Sequence, residues 1–253
     1  MDGAKSETFW TFQRSSQRSP LAPLKGENVV IVGTGETAGV VFEYLSDDTP
    51  HRVVAFSADR DFITADRFYD RPVVPFEDLA AIYPATQNCV FIAVSVTQLN
   101  QSRRRLYDAV KAAGFTCVSY VSSHASVAPD VAIGENVMVQ ENVTLQYGAR
   151  VGANTFLGSG TCVGFRSVIG PDCFTGPQAT IGDSCSVGRG SFLGAASCLA
   201  DGCSAGEDCV VGAGAVVTRD ALSRHVYLGN PARPVARDSF DTFGVTGNQA
   251  AGG

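Results

Sequence analysis

Histidine is scarce in this chain of 253 residues: only His51, His124 and His225 are present, far apart from one another. The eight cysteines include no CxxC pair, so neither residue type has the close spacing of a structural zinc site, and no metal is expected. Basic charge is also thin. The 19 Lys and Arg are outnumbered by 25 Asp and Glu, a net charge of −6. Without a basic face, nucleic acid is excluded as a partner. Apolar runs are broken by Gly, Ser or charge well short of the roughly 20 residues that span a membrane. Residues 1–27 carry Arg, Ser and Gln but no apolar core of a secretory signal, which predicts a flexible leader and a cytoplasmic protein.

From Val121 to Val217 an aliphatic residue recurs at every sixth position. The register runs Val121, Val127, Ile133, Val139 and so on to Val211 and Val217, and only Thr175 and Ala205 depart from Val, Ile and Leu. Neither an amphipathic helix nor an isolated hairpin has a period of six; a parallel β-helix does. Three hexads close one triangular coil with the aliphatic residues stacked inside. Glycine usually comes next, as at Gly134, Gly152, Gly170, Gly188 and Gly206, and predicts corners that need positive φ or close backbone approach. Cys173, Cys185, Cys203 and Cys209 each follow a hexad residue by four, a repeated small slot where cysteine packs as a small hydrophobe.

Before the hexads, strand and helix signals alternate. Val29–Val32, Val53–Phe56, Val73–Pro75 and Cys89–Val94 read as strands, and Leu99–Ala113 as an amphipathic helix. That alternation predicts a parallel, Rossmann-like α/β domain over 28–120, followed by a β-helix over 121–235 and a disordered tail over 236–253. The turn Gly33-Thr34-Gly35-Glu36 joins a strand to a helix, where free backbone N–H groups meet phosphate. As a dinucleotide fingerprint it fits poorly. Ala38 stands in the third glycine's place, and no acidic residue closes the second strand.

The α/β domain, the hexads, the stretch Val210-Val211-Gly212-Ala213-Gly214-Ala215-Val216-Val217 and the run Gly229-Asn230-Pro231-Ala232-Arg233 together resemble the hexapeptide-repeat sugar acyltransferases. The nearest branch is the two-domain group related to sialic-acid O-acetyltransferases and bacillosamine N-acetyltransferases. The resemblance covers residues 28–235. It implies a left-handed β-helix, a homotrimer, and acetyl-CoA lying between neighbouring subunits. On that analogy Gly33, Gly35 and Glu36 meet a nucleotide-linked sugar acceptor; Arg166, which has no counterpart in that analogy, is expected to offer the acceptor's phosphate or carboxylate a fixed fork of donors. Gly194, Gly212 and Ala213 line the CoA arm, and Pro231 and Arg233 lie near its adenine end.

One departure qualifies the resemblance. The family carries a general-base histidine four residues before a hexad aliphatic; here Gly164-Phe165-Arg166-Ser167 precedes Ile169. Phe165 accepts no proton, and Arg166 stays charged at ordinary pH. His124 lies where the family often has a structural His-x-Ser, and His225 lies beyond the last coil. The expected activity is therefore N-acetylation of a nucleotide-linked amino sugar, since an amine depends less on a base than a hydroxyl does. The alternatives are O-acylation of a sugar or small metabolite using another polar residue (Glu141, Asp172 or Gln178), and a non-catalytic trimer that binds CoA or nucleotide.

Overall fold

A computed structural model describes residues 27–245. The expected leader, apart from Glu27, and the tail beyond residue 245 lie outside the described residues. The first domain contains β1 (Asn28–Val32), α1 (Glu36–Asp48), β2 (Arg52–Ala58), β3 (Arg67–Phe68), β4 (Arg71–Pro75), α2 (Leu79–Ile82), β5 (Cys89–Ile92) and α3 (Gln101–Ala112). Its sheet has the order β3-β4-β2-β1-β5, parallel except for the β3–β4 hairpin. Val29 to Val32 are fully buried, as a central strand covered on both faces requires.

From Tyr120 onward the chain winds as a parallel β-helix with two-residue strands, each pairing with the strand three hexads later. Leu145 pairs Val163, Val151 pairs Ile169, and Leu157 pairs Thr175, so one coil takes 18 residues. Three faces result. The first runs from Ser126–Val127 to Val216–Val217 and the second from Ala132–Ile133 to Ser204–Ala205. The third begins at Tyr120–Val121 and is extended by strands His225–Leu228 and Arg233–Asp238. From Val139 on, every hexad residue is buried. Thr175 is accommodated because its hydroxyl pairs with that of Thr161 at 2.9 Å and accepts from Gly158 N at 3.1 Å. A buried hydroxyl with a partner avoids the penalty of one without.

The slot four residues past each hexad residue is more than a packing position. Besides the four cysteines it holds Thr155, Thr161, Ser167, Ser191 and Ser197, all buried. The Ser167 hydroxyl donates to Gly182 O at 2.6 Å and accepts from Cys185 N at 3.0 Å; the Ser191 hydroxyl does the same with Gly206 O and Cys209 N. The Cys173 thiol takes that place toward Gly188 O at 3.2 Å. The cysteines are free, as a packing role requires.

The corners decide between the two demands expected of their glycines, in favour of close backbone approach. The glycines directly after the hexad residues do not have positive φ; the left-handed residues stand two places later, among them Asn142 (φ 58°), Arg166 (57°), Asp172 (61°) and Gly202 (71°). The first set is needed for space alone. A Cβ on Gly152 would lie 2.4 Å from Pro171 N in the next coil, and one on Gly188 2.5 Å from Glu207 N.

On the outer side of the third face, Tyr120, Met138, Phe156, Phe174, Phe192 and Val210 align in register. Phe156 and Phe174 stack at 5.4 Å with rings 5° from parallel. The first domain covers this stripe with Val29, Ile31, Val41, Leu45 and Phe91. Helix α3 fastens the contact: Arg103, fully buried, donates to the carbonyls of Val94, Asn154, Asp172 and Cys173. Burial draws its guanidinium down to about 10, so it is still charged at neutral pH. Beside it, Asn136, Asn154 and Asp172 form a ladder up one corner, with Asn136 bonded to both N and O of Ile92.

The tail expected to be disordered from Ala236 is structured as far as the described residues extend. Strand Arg233–Asp238 pairs with His225–Leu228, and helix Ser239–Phe243, capped by the Asp238 carboxylate, places Phe243 5.6 Å from the Phe192 ring. Phe240 and Phe243 supply apolar contacts that a composition of Asp, Ser and Thr concealed.

Candidate functional site

The Gly33–Glu36 turn sits at the carboxyl end of β1, where the sheet order reverses between β2 and β5. Ligands of open α/β sheets enter at such a switch point. Gly33 (φ 133°) is required there, because a Cβ would meet Ala93 O at 2.7 Å. Gly35 is the N-cap of α1 without a side-chain cap, and nothing lies within 4 Å of where its Cβ would be. The backbone is thus open to an approaching group, with exposed Glu36 beside it.

Along the same helix, a cleft of about 740 Å³ lies between α1 and the first two coils. Val40, Glu43, Tyr44, Asp47 and Asp48 form one wall, one helical face at i, i+3, i+4, i+7 and i+8; Tyr120, Ser122, His124, Glu141 and Asn142 form the other. Tyr44 donates its phenol to the Glu141 carboxylate. Asp48 accepts from the Tyr120 hydroxyl and from Ser123 N, both at 2.8 Å. The hydroxyls of Ser159 and Tyr44 hold the Glu141 carboxyl below its usual range, and nearby His124 adds to the effect. Burial raises the Asp48 carboxyl, but its Ser123 and Tyr120 donors outweigh that and leave it lowered. Burial and Glu141 together push the Tyr44 phenol up to about 12. The cleft therefore carries ionised carboxylates beside a protonated phenol at neutral pH.

The corners sort the remaining residues. His124, Asn142, Gly160, Gln178, Ala196 and Gly214, each 18 residues apart, stack on the corner between the third and first faces. Gly212 and Ala213 lie at its far end, four coils from Asn142, or about 19 Å at ~4.8 Å per coil, and Gly194 lies one coil before them. There Val216 N donates to Gly229 O and Ala232 N to Val216 O, which brings the Pro231 loop onto the same end. Leu228 covers Gly212: a Cβ on Gly212 would come 2.3 Å from Leu228 Cδ2. The Arg233 side chain is exposed. Phe165 and Arg166 occupy a different corner, between the first and second faces and opposite the α/β domain. The Arg166 guanidinium lies 4.8 Å over the Phe165 ring, which is 40% exposed, next to exposed Tyr147 one coil earlier. One protomer therefore does not bring Arg166 together with Gly33, Gly35 and Glu36.

The polar residues offered as substitute bases also separate. Asp172 is 2% exposed and tied to Arg189 at 2.8 Å and Asn154 at 2.8 Å, so it is occupied. Gln178 is an exposed corner residue. Only Glu141 lines the cleft. Sequence reasoning missed Tyr44, Asp48 and Tyr120; the period of three and four in α1 was the available signal, and it reads equally as a buried or a cleft-lining face. Among the described residues, no group of three His, Cys, Asp or Glu is placed to hold a metal ion.

A family model for the hexapeptide repeat of succinyl-transferase matches residues 184–219. A search of curated proteins finds no match. Among solved structures, PerB from Caulobacter crescentus in complex with CoA and GDP-perosamine aligns at a TM-score of 0.76 with 29% identity, covering 85% of this chain and all of that one. A histidine-to-asparagine variant of the same perosamine N-acetyltransferase aligns at 0.75. The acetyltransferase domain of PglB from Neisseria gonorrhoeae, at 23% identity and a TM-score of 0.76, covers 83% of this chain and all of that one, and shows the shared fold. In its repeat, its fold and its order of domains, this chain is similar to these two-domain acetyltransferases, and its solenoid is the left-handed β-helix of hexapeptide repeats.

Proposed function

We propose that the chain is an acetyl-CoA-dependent N-acetyltransferase acting on a nucleotide-linked amino sugar. The observation that carries this reading is the end-to-end correspondence with PerB, solved with CoA and GDP-perosamine. The chain's own geometry supports it. The open Gly35 backbone at the head of α1 suits a pyrophosphate, since N–H groups and the helix dipole both favour an anion. Gly33 and Glu36 flank that site. The small corner residues Gly160, Ala196 and Gly214 suit the thin arm of acetyl-CoA, and nothing lies within 4 Å of a Cβ built on Gly214. In this reading Gly194 and Ala213 contact the arm through the main chain, Gly212 acts through the Leu228 packing above it, and Pro231 and Arg233 meet the adenine end.

Assembly as a homotrimer completes the site. The Phe165/Arg166 corner faces away from its own α/β domain, so a second copy supplies Arg166, whose fixed fork of donors suits a phosphate or carboxylate. The test is thiol release from acetyl-CoA with a panel of nucleotide-linked amino and hydroxy sugars. Release with an amino sugar supports the proposal. Release with hydroxy sugars alone replaces it with O-acylation, and nucleotide and CoA binding without release replaces it with a binding trimer. The Phe165/Arg166 pair is the observation that favours that last outcome.

A further inference from the structure

With the base position of the family filled by Phe165, the proton that leaves the acceptor amine needs another destination. We propose that His124 takes it, with Glu141 beside it, and that the cleft between α1 and the first coils holds the amino-sugar ring. This rests on the N-acetyltransferase reading above.

Three observations carry the assignment. First, the His124 imidazole lines the cleft with one nitrogen engaged: Nδ1 lies 3.2 Å from Ser123 Oγ, and Nε2 makes no hydrogen bond among the described residues. The backbone around it is fixed, with His124 N donating to Ser122 Oγ at 3.2 Å and Asn142 N donating to His124 O at 3.2 Å. Second, the cleft has one sign of charge. Glu43, Asp47, Asp48 and Glu141 line it, and no Lys or Arg does. Such a wall repels phosphate and attracts an ammonium group, the form in which a sugar amine arrives at neutral pH. Third, the reach is right. From Gly35 to Tyr44 along α1 is nine residues, about 13 Å at 1.5 Å per residue. A pyrophosphate at the helix head therefore directs its sugar along the helix toward Glu141 and His124.

The step balances with these groups alone. Glu141 and Asp48 receive the ammonium, which gives up one proton to solvent and becomes a neutral amine. Its nitrogen lone pair attacks the thioester carbonyl carbon and forms the C–N bond. His124 Nε2 accepts the second proton from that nitrogen. The C–S bond breaks, the CoA thiolate leaves, and the imidazolium returns the proton to sulfur. The products are the amide, free CoA thiol and an unchanged imidazole.

The titratable groups that share the cleft with His124 are Glu43, Tyr44, Asp47 and Asp48 from α1, Tyr120, and Glu141 from the second coil. The test compares wild type with His124→Asn, His124→Gln and Glu141→Gln, after matched melting curves show each variant folded. With an amino-sugar nucleotide as acceptor, kcat of both His124 variants falls about 10²–10³-fold while KM for acetyl-CoA is unchanged. Added imidazole restores part of their rate. Glu141→Gln raises the acceptor KM. If His124→Asn and His124→Gln keep kcat within about threefold of wild type, or gain nothing from imidazole, the inference is overturned and the N-acetyltransferase reading stands. If wild type binds acetyl-CoA yet acetylates no amino sugar, both fall together.

Discussion

Glycine in the solenoid meets two separate demands. At Gly152 the next coil passes too close for any side chain, so Gly152→Ala forces the Pro171 backbone to move; at Gly202 there is room, but φ is 71°. Gly152→Ala is expected to cost more than about 2 kcal/mol, whereas Gly202→Ala costs about 1 kcal/mol, the ordinary left-handed penalty. Thermal melts of the two variants, side by side, check the contrast; equal losses would reject it. Arg166 also pays the left-handed penalty, at φ 57°, where Gly148 avoids it one coil earlier. Strain of that kind persists where a side chain is useful. Arg166→Ala is accordingly expected to raise the acceptor KM and leave acetyl-CoA binding intact, and an unchanged acceptor KM would remove its recognition role. Phe165→His is expected to restore transfer to hydroxyl acceptors, detected by thiol release with a hydroxy-sugar nucleotide.

At the scale of elements, helix α3 and the solenoid corner are joined through Arg103. Arg103→Met keeps the bulk but leaves four carbonyls without their donor, a loss of about 3 kcal/mol. At this chain length that corresponds to a fall of roughly 6–12 °C in Tm; a fall under about 2 °C would show that packing of the aromatic stripe suffices. Helix α1 is fastened differently, through Asp48 and Glu141, whose folded carboxyls are both held low. Groups with depressed folded values contribute their stability above the ordinary carboxylate range, and that contribution is lost as pH falls below it. Amide exchange in α1 should therefore accelerate below about pH 4 before it does in the coils. Asp48→Asn should abolish much of that difference.

For the whole molecule, the outward strand residues of the two faces without the α/β domain are Ser, Thr, Val, Cys and Ala apart from Arg150, mostly small side chains of the kind that copies of one chain can pack together. Light scattering is expected to give about three times 26.5 kDa. A monomer in solution would separate Arg166 from the cleft permanently and end the proposal of a composite site.

Several features were legible in the residues alone, each for a local reason. Hexads of Val, Ile and Leu leave the chain no other period in which to bury them, so the β-helix follows from spacing. Gly33-Thr34-Gly35 after an apolar run marks a strand-to-helix turn for the same kind of reason, and the cysteine slots follow from their offset of four. What lay beyond reach was long-range. Tyr44 meets Glu141 across 97 residues and Tyr120 meets Asp48 across 72, pairings that no periodicity encodes. The stripe of Tyr120, Met138, Phe156 and Phe174 looks like a row of exposed strand residues until another domain covers it. The same is true of the two corners. Sequence spacing places His124 and Arg166 in their coils, but only the winding of three faces, with the α/β domain docked on one of them, decides that His124 faces the cleft and Arg166 faces away from it.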